Sequence, residues 1–236
     1  MRQRFIPTKH FIYQPFKNWL ARFLQRAGIV EILHQHHQAQ IPEGSPKCDI
    51  WDGMVWRHFT GTRNINDPPF MSIPGALTFS SYVDWLNAHG KSTRLFSIGP
   101  IMLICLNLPP SERLKPQNFY AAGITAGLNK PTALQLNYLL MPLITELKEL
   151  WQCYHFSPTS TGPSGFFICV AILTAIADVV SMHNLTGFIS HSGNHFCNFS
   201  TIHKAQIEEI GPQFHYTCSY QDHKSTIEKW LQASPQ

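Results

Sequence analysis

The sequence predicts an α/β fold, and three observations lead to that prediction. Apolar runs bounded by turn residues occur in the order strand, strand, strand, helix, strand. The run at 98–108 is apolar on both faces, which is typical of a strand in the middle of a sheet. The first and fourth runs each end at an acid, Asp84 and Asp178. We therefore expect a sheet in which two carboxylates follow the ends of strands.

The strands are predicted, in chain order, at 76–83, 98–108, 119–124 and 166–177. Between the third and fourth, Thr132 can cap a helix that runs to Leu140. Pro142 would break that helix and can open a second one, because a proline lacks the N–H that a helix interior needs. The sequence therefore predicts two short helices between the third and fourth strands.

The first 47 residues are predicted to form a basic arm that ends in a linker. Residues 1–40 hold six Lys or Arg and one acid, and apolar residues at helical spacing over 16–26 predict an amphipathic helix that Gly28 ends. The breaker-rich stretch 41–47 is the linker candidate. Such an arm can bind nucleic acid or be simply solvated. The histidines at 34, 36 and 37 can likewise bind metal or be solvated.

Composition excludes several classes of function. Charged residues make up 14% of the 236 residues, against about 25% in an ordinary soluble domain, so we expect this chain to pack against something else. Six cysteines without a CxxC motif, and no signal peptide, indicate a reducing intracellular compartment, nucleus or cytoplasm. The longest apolar run is too short for a bilayer and contains Asp178, so no membrane role is expected. No nucleotide-binding glycine motif occurs, and no small-molecule substrate is indicated.

The order of the strands gives Asp84 and Asp178 a possible role. In a ribonuclease H-like fold the first and fourth strands are neighbours, so the two carboxylates would converge. Paired carboxylates favour a divalent cation, and oxygen ligands suit Mg²⁺ or Mn²⁺. Two such ions can assist in-line attack on a phosphodiester, and a third acid normally completes the metal cage. The alternative is that both aspartates are ordinary polar residues at strand ends.

Several segments then resemble, in the same order, the sequence blocks of CACTA-type (En/Spm-like) DNA transposases of basidiomycetes. They are YQPFKNWLARFLQRAGIVEIL (13–33), CDIWDGMVWRHF (48–59), PFMSIPGALTFSSYVDWLN (69–87), LICLNLPPSERLKPQNFYAAGITAGLNKP (103–131), NYLLMPLITELKELW (137–151) and ADVVSMHNLTGFISHSGNHFCNFS (177–200). The resemblance implies a DDE transposase core over 48–200, with Asp84 and Asp178 as the first two catalytic acids and ligands of Mg or Mn. It implies transposon-end DNA as the partner, and it matches Cys197 to the first cysteine of a zinc half-site.

The chain departs from these blocks in ways that weaken two of the implied sites. Ser200 replaces the second cysteine of the half-site, and a hydroxyl is a poor zinc ligand, so zinc is not expected unless His191, His195 or His203 substitutes. Residues 201–236 resemble only the start of a helical insertion, and none of their acids matches the third catalytic acid. We therefore expect a truncated ribonuclease H-like core that is catalytically incomplete alone.

Three functions remain open on the sequence. The first is an active DNA transposase subunit or nuclease that depends on Asp84 and Asp178. The second is a non-enzymatic remnant that binds DNA or a full-length transposase. The third is a decayed reading frame without a selected function.

Overall fold

The computed structural model describes the parts of the chain that hold the predicted sheet. The described residues are 11–35, 45–60, 67–87, 97–127, 131–157, 164–178, 181–182, 193–194, 203–205 and 225. The chain forms two compact units, one of Met1–Lys130 with Asn137–Ile176 and one of Pro131–Leu136 with Ala177–Gln236. All six strands belong to the first unit.

The fold is a mixed α/β fold built on one sheet, which confirms the predicted class. Its strands are β1 Ala76–Val83, β2 Leu86–Asn87, β3 Ser97–Cys105, β4 Phe119–Gly127, β5 Tyr154–Phe156 and β6 Phe166–Ile176. Across the sheet the order is β4, β3, β1, β6, β5, and β2 continues beyond β1 along the same edge of β3. The six strands therefore occupy five positions.

Five α-helices and three short 3₁₀ turns complete the described elements. The helices are α1 Phe16–Leu24, α2 Ile29–Leu33, α3 Met54–His58, α4 Pro110–Arg113 and α5 Ala133–Trp151, and the 3₁₀ turns are Ile50–Asp52, Phe70–Ser72 and Pro116–Asn118. Within the described residues, none of these helices has the length and apolar character needed to cross a bilayer.

Strand β1 lies at the centre of the sheet and is hydrogen-bonded along both edges. It runs antiparallel to β3, with Phe79 opposite Cys105, and parallel to β6, with Ala76 beside Cys169. Residues 76–80 are all buried, because both faces of the strand are covered. The predicted bounds of this strand, 76–83, are confirmed.

A glycine and an asparagine allow the sheet to form around β1. Gly75, just before the strand, has a φ of 78°, and a Cβ atom there would lie 1.9 Å from the Phe167 carbonyl oxygen. Where β3 ends, the buried Asn107 side chain accepts from the Thr78 N–H at 2.8 Å and donates to the Ala76 carbonyl at 3.0 Å. The Asn107 amide makes these two hydrogen bonds to β1 in place of backbone groups of β3. β3 therefore ends at Cys105 rather than at the predicted residue 108.

The predicted break between two helices at Pro142 is wrong. One helix, α5, runs from Ala133 to Trp151 with Pro142 inside it. The proline removes the hydrogen bond to the carbonyl of Tyr138, but Tyr138 and Pro142 are exposed, so water can bind that carbonyl. Leu143 and Leu150 are buried on the opposite face, and their burial stabilises the second half of the helix.

The helix predicted in the N-terminal arm is confirmed as α1, but a separate arm is not. Phe16 packs against Phe79 of β1 and Tyr120 of β4, with ring centroids 5.3 and 4.7 Å apart. The Gln14 N–H donates to the Ala122 carbonyl of β4 at 2.8 Å. Helix α1 therefore belongs to the same compact unit as the sheet. The predicted domain boundaries at 47/48 and 200/201 stay predictions, and much of the predicted linker, with His36 and His37, lies outside the described residues.

A side chain from a distant part of the chain caps the start of α1. The Glu146 carboxylate of α5 accepts hydrogen bonds from the Phe16 and Lys17 N–H groups at 3.2 and 2.7 Å. It also accepts from the Tyr13 hydroxyl at 2.7 Å. Burial, together with the Glu146 carboxylate, raises the pKa of Tyr13 to about 12. A negative charge at a helix N-terminus is stabilising, so Glu146 fixes α1 to α5.

A disulfide joins Cys153, which follows α5, to Cys169 of β6. Sequence reasoning did not identify this pair, because a separation of 16 residues carries no recognisable motif. Cys48 and Cys105 are free, the first exposed and the second buried. Cys197 and Cys218 lie outside the described residues.

Replacing Glu146 by alanine should destabilise the protein by about 2 kcal/mol, because two helix N–H groups and a hydroxyl lose a charged acceptor. Urea unfolding at neutral pH measures this change. The matched control is Glu149→Ala, which removes a partly exposed ion pair with Lys17 on the same helix and should cost less than about 0.5 kcal/mol. Equal losses for the two variants would contradict the capping role.

Candidate functional site

The ends of β1 and β6 carry the two aspartates singled out in the sequence. The parallel register pairs Tyr82 of β1 with Ile176 of β6, the last residue of that strand. Asp84 and Asp178 each follow two residues later. The prediction that the first and fourth of the predicted strands are neighbours is therefore confirmed for β1 and β6. Along the chain, each acid follows its paired residue by two positions.

Asp84 is partly buried and held by two hydrogen bonds. Its Oδ1 accepts from the Trp85 N–H at 2.7 Å, and its Oδ2 accepts from the Tyr82 hydroxyl at 3.3 Å. A carboxylate can accept about four hydrogen bonds, so both oxygens keep acceptor capacity for a further ligand. Asp84 thus has a defined orientation and remains able to bind a cation.

The residue after Asp84 is anchored in the sheet. The buried Trp85 indole donates to Thr125 Oγ1 of β4 at 3.3 Å, and that hydroxyl donates to the Gly99 carbonyl of β3 at 3.1 Å. A Cβ atom on Gly99 would lie 2.3 Å from the indole nitrogen, so only glycine leaves room for this contact. Trp85 therefore acts as a positioning residue for the chain at Asp84.

Asp178 begins a short turn in the second compact unit. Its Oδ1 accepts from the Ser181 N–H at 2.5 Å, and its backbone carbonyl accepts from the Met182 N–H at 2.8 Å. This is the pattern of an aspartate at a helical N-cap, where the side chain satisfies an N–H group of the first turn. Asp178 is exposed to solvent.

Other acids of the sequence blocks have structural roles. Asp52 accepts from the Cys48 and Asp49 N–H groups at 2.8 and 2.9 Å, and these bonds hold the pKa of Asp52 below its usual value. Asp49 pairs with Arg113 at 2.8 Å, and the Arg113 guanidinium lies over the Trp51 ring. Asp49 and Arg113 therefore join the block at 48–59 to the block that begins at 103, while Asp52 stabilises the turn within the first block.

A cleft of about 300 Å³ lies between α5 and β6. It is lined by Ile144, Leu147, Lys148, Trp151, Gln152, Val170, Ala171 and Ile172. The lining is mostly apolar and includes no acid, so this cleft offers no carboxylate ligand for a metal.

Most of the side chains predicted to bind zinc lie outside the described residues. In the ranges that the structure describes, no three His, Cys, Asp or Glu side chains cluster as a metal site. Cys197, Ser200, His191 and His195 lie outside those ranges, and the Nδ1 atom of His203 accepts from the Ala205 N–H at 3.2 Å. Binding of Mg, Mn or zinc stays a prediction.

A family model described as transposase family tnp2 matches residues 49–228, which is more than half of the chain. The chain belongs to the tnp2 transposase family. The resemblance to transposases is thereby confirmed at the level of this family, and the protein is derived from a transposable element. Membership in the tnp2 family implies DNA as the class of partner. A search of curated proteins finds no match.

The tnp2 match includes Asp84, Asp178 and Cys197 but not α1. Sequence reasoning identified the two acids by their positions at strand ends. It missed Trp85, Glu146 and Asn107, whose roles depend on partners far away in the chain. The tryptophan directly after Asp84 was the available signal, because a large aromatic beside an acid at a strand end commonly has a packing partner.

Replacing Gly99 by alanine should destabilise the protein by about 1 to 3 kcal/mol, because the added methyl group displaces the Trp85 indole. Urea unfolding measures the loss. In a Trp85→Phe background the smaller ring leaves space, so the same substitution should cost at least about 1 kcal/mol less. Additive effects in this double-mutant cycle would contradict a direct contact between the two residues.

Proposed function

We propose that this chain is the two-aspartate part of a CACTA-type DDE transposase core with a ribonuclease H-like sheet. In this proposal Asp84 and Asp178 bind Mg²⁺ or Mn²⁺ and support cleavage and joining of transposon-end DNA. A carboxylate beyond these two completes the metal cage, so the chain alone has little strand-transfer activity. The proposal rests on tnp2 family membership and on the geometry of β1 and β6.

The observation that carries the proposal is the parallel register of β1 and β6. β3 runs antiparallel to both of its long neighbours, β4 and β1. On the other edge of β1, β6 runs parallel to it. Because β1 and β6 run in the same direction, the chain leaves both strands at the same edge of the sheet. Along the chain, Asp84 follows Tyr82 by two residues and Asp178 follows Ile176 by two residues, and these equal offsets support the proposal that the two acids share a cation.

The side chains present suit a hard divalent cation. Two carboxylates brought together repel each other unless a cation offsets their charge, and carboxylate oxygens are the ligands that Mg²⁺ and Mn²⁺ prefer. When bound, such ions polarise a phosphodiester and activate the attacking hydroxyl or water. The contribution of the protein is to hold Asp84 through the Trp85 N–H and the Tyr82 hydroxyl, so that little reorganisation is needed on binding.

Replacing either aspartate by asparagine should weaken Mn²⁺ binding at least about tenfold, because one charged ligand becomes neutral. The loss of the free Mn²⁺ signal in electron paramagnetic resonance titrations measures the affinity of each variant. The control is Glu112→Gln, which alters a surface carboxylate paired with Lys115 at 2.5 Å and should leave the affinity unchanged. The proposal is wrong if Asp84→Asn, Asp178→Asn and the control bind Mn²⁺ alike.

A second candidate function is DNA binding without catalysis. The observation that favours it is the excess of Lys and Arg in residues 1–40, which precede the tnp2 match. In this case the chain binds transposon DNA, or a full-length transposase, and competes with it. Phosphate contacts would then supply most of the affinity.

Replacing Arg2, Arg4 and Lys9 together by glutamine tests this second function. If all three residues contact phosphates, the slope of log K against log salt should become less steep by about 3, roughly one unit per contact. Fluorescence anisotropy on labelled DNA over a salt series gives the slope. Lys115→Gln serves as the control, because Lys115 is paired with Glu112. An unchanged slope in the triple variant would exclude these three residues as phosphate contacts.

A further inference from the structure

The disulfide between Cys153 and Cys169 joins the chain just after α5 to strand β6. Cys153 lies two residues after the end of α5, and Cys169 lies inside β6, directly beside Ala76 of β1. The loop that the bond closes has a sequence separation of 16 and contains the short strand β5. The bond therefore attaches the end of α5 to the strand that neighbours the centre of the sheet.

Cys153 has a backbone conformation that a cysteine seldom adopts. Its φ is 62°, in the left-handed region, and among the described residues other than glycine no second one has a positive φ. This position follows a helix end, where glycine or asparagine is usual, and its N–H donates to the Leu150 carbonyl at 3.1 Å. A residue with a side chain is unfavourable in this backbone conformation. The disulfide to Cys169 explains why a cysteine rather than a glycine occupies the position.

The two sulfur-bearing residues differ in their access to solvent. Cys169 is 1% exposed and belongs to an apolar cluster with Trp51, Trp56 and Phe70. Cys153 is partly exposed and packs at the margin of that cluster. Cys153 is therefore the more accessible half of the bridge, and Cys169 is the buried half.

The other described cysteines, Cys48 and Cys105, are not part of the bridge. Cys105 is fully buried, and burial raises the pKa of its thiol to about 12, so it supplies almost no thiolate at neutral pH. Cys48 is exposed, and its thiol donates to the Pro46 carbonyl. Because Cys153 is partly exposed and Cys169 is buried, thiol exchange at the bridge should start at Cys153.

We propose that Cys153 and Cys169 form a reversible redox clamp that responds to the glutathione pool. In reduction, a glutathione thiolate attacks the Cys153 sulfur, the bond between the two cysteines breaks, and Cys169 leaves as a thiolate that takes up a proton. A second glutathione thiolate attacks the resulting mixed disulfide, which releases glutathione disulfide and the Cys153 thiolate, which is also protonated. Two electrons and two protons pass to the protein, and oxidation by glutathione disulfide reverses the sequence.

The clamp changes the stability of the sheet without using the proposed metal site. Closing the loop limits the freedom of the unfolded chain, and a loop of this size should raise the unfolding midpoint by roughly 5 to 10 °C. The reduced protein keeps its fold, because both thiols fit in or beside the apolar cluster. The inference is independent of the proposed DNA chemistry.

The test compares the full chain after equilibration in glutathione disulfide and in reduced glutathione. Free thiols are alkylated, the protein is cleaved with chymotrypsin at aromatic residues between the two cysteines, and linked peptides are identified by mass. We expect a Cys153–Cys169 link after oxidation, two alkylated thiols after reduction, and the higher midpoint in the oxidised sample. Cys48→Ser should leave the difference intact, and Cys153→Gly should abolish it while retaining a left-handed backbone.

Two results would overturn the clamp. One is the absence of the linked peptide in folded protein that has been oxidised. The other is a linked peptide whose presence leaves the unfolding midpoint unchanged, or that glutathione fails to reduce until the protein is unfolded. Because the wild-type comparison uses no substitution, it decides the question even if Cys153→Gly does not fold.

Discussion

The first compact unit depends on the hydrogen bonding of β1 along both of its edges. β3 supplies one edge, and the Asn107 side chain continues that edge after β3 has ended. β6 supplies the other edge, and Gly75 allows its backbone to approach closely where β1 begins. Because β1 cannot shift without breaking both sets of bonds, the direction in which the chain leaves it toward Asp84 is well defined.

The elements predicted correctly are those whose own residues carry a strong pattern. The apolar run at 76–83 and the spacing of Phe16, Leu20 and Phe23 contain enough information to define a strand and a helix. β2 and β5 have two and three residues, too few to show any periodicity. The continuity of α5 through Pro142 could not be predicted locally, because packing of its buried face outweighs one lost hydrogen bond.

The candidate site shows the same division between local and distant information. A polar residue after an apolar strand is visible in one sequence, so Asp84 and Asp178 could be named, and the strand register shows that β1 and β6 are neighbours. The contact of Trp85 with Thr125 involves segments 40 residues apart, and the cap that Glu146 provides spans about 130 residues. Such partners become visible only when the fold has brought them together.

The position of α1 has a consequence for how this protein is delimited. The family match begins at residue 49, yet Phe16 packs under β1 and β4, and Glu146 binds the first turn of α1. A fragment cut at the start of the match would expose Phe79 and Tyr120 and leave the Glu146 carboxylate without its backbone donors. The segment that the family model recognises is thus smaller than the segment that packs as one unit. Recombinant fragments should therefore include α1.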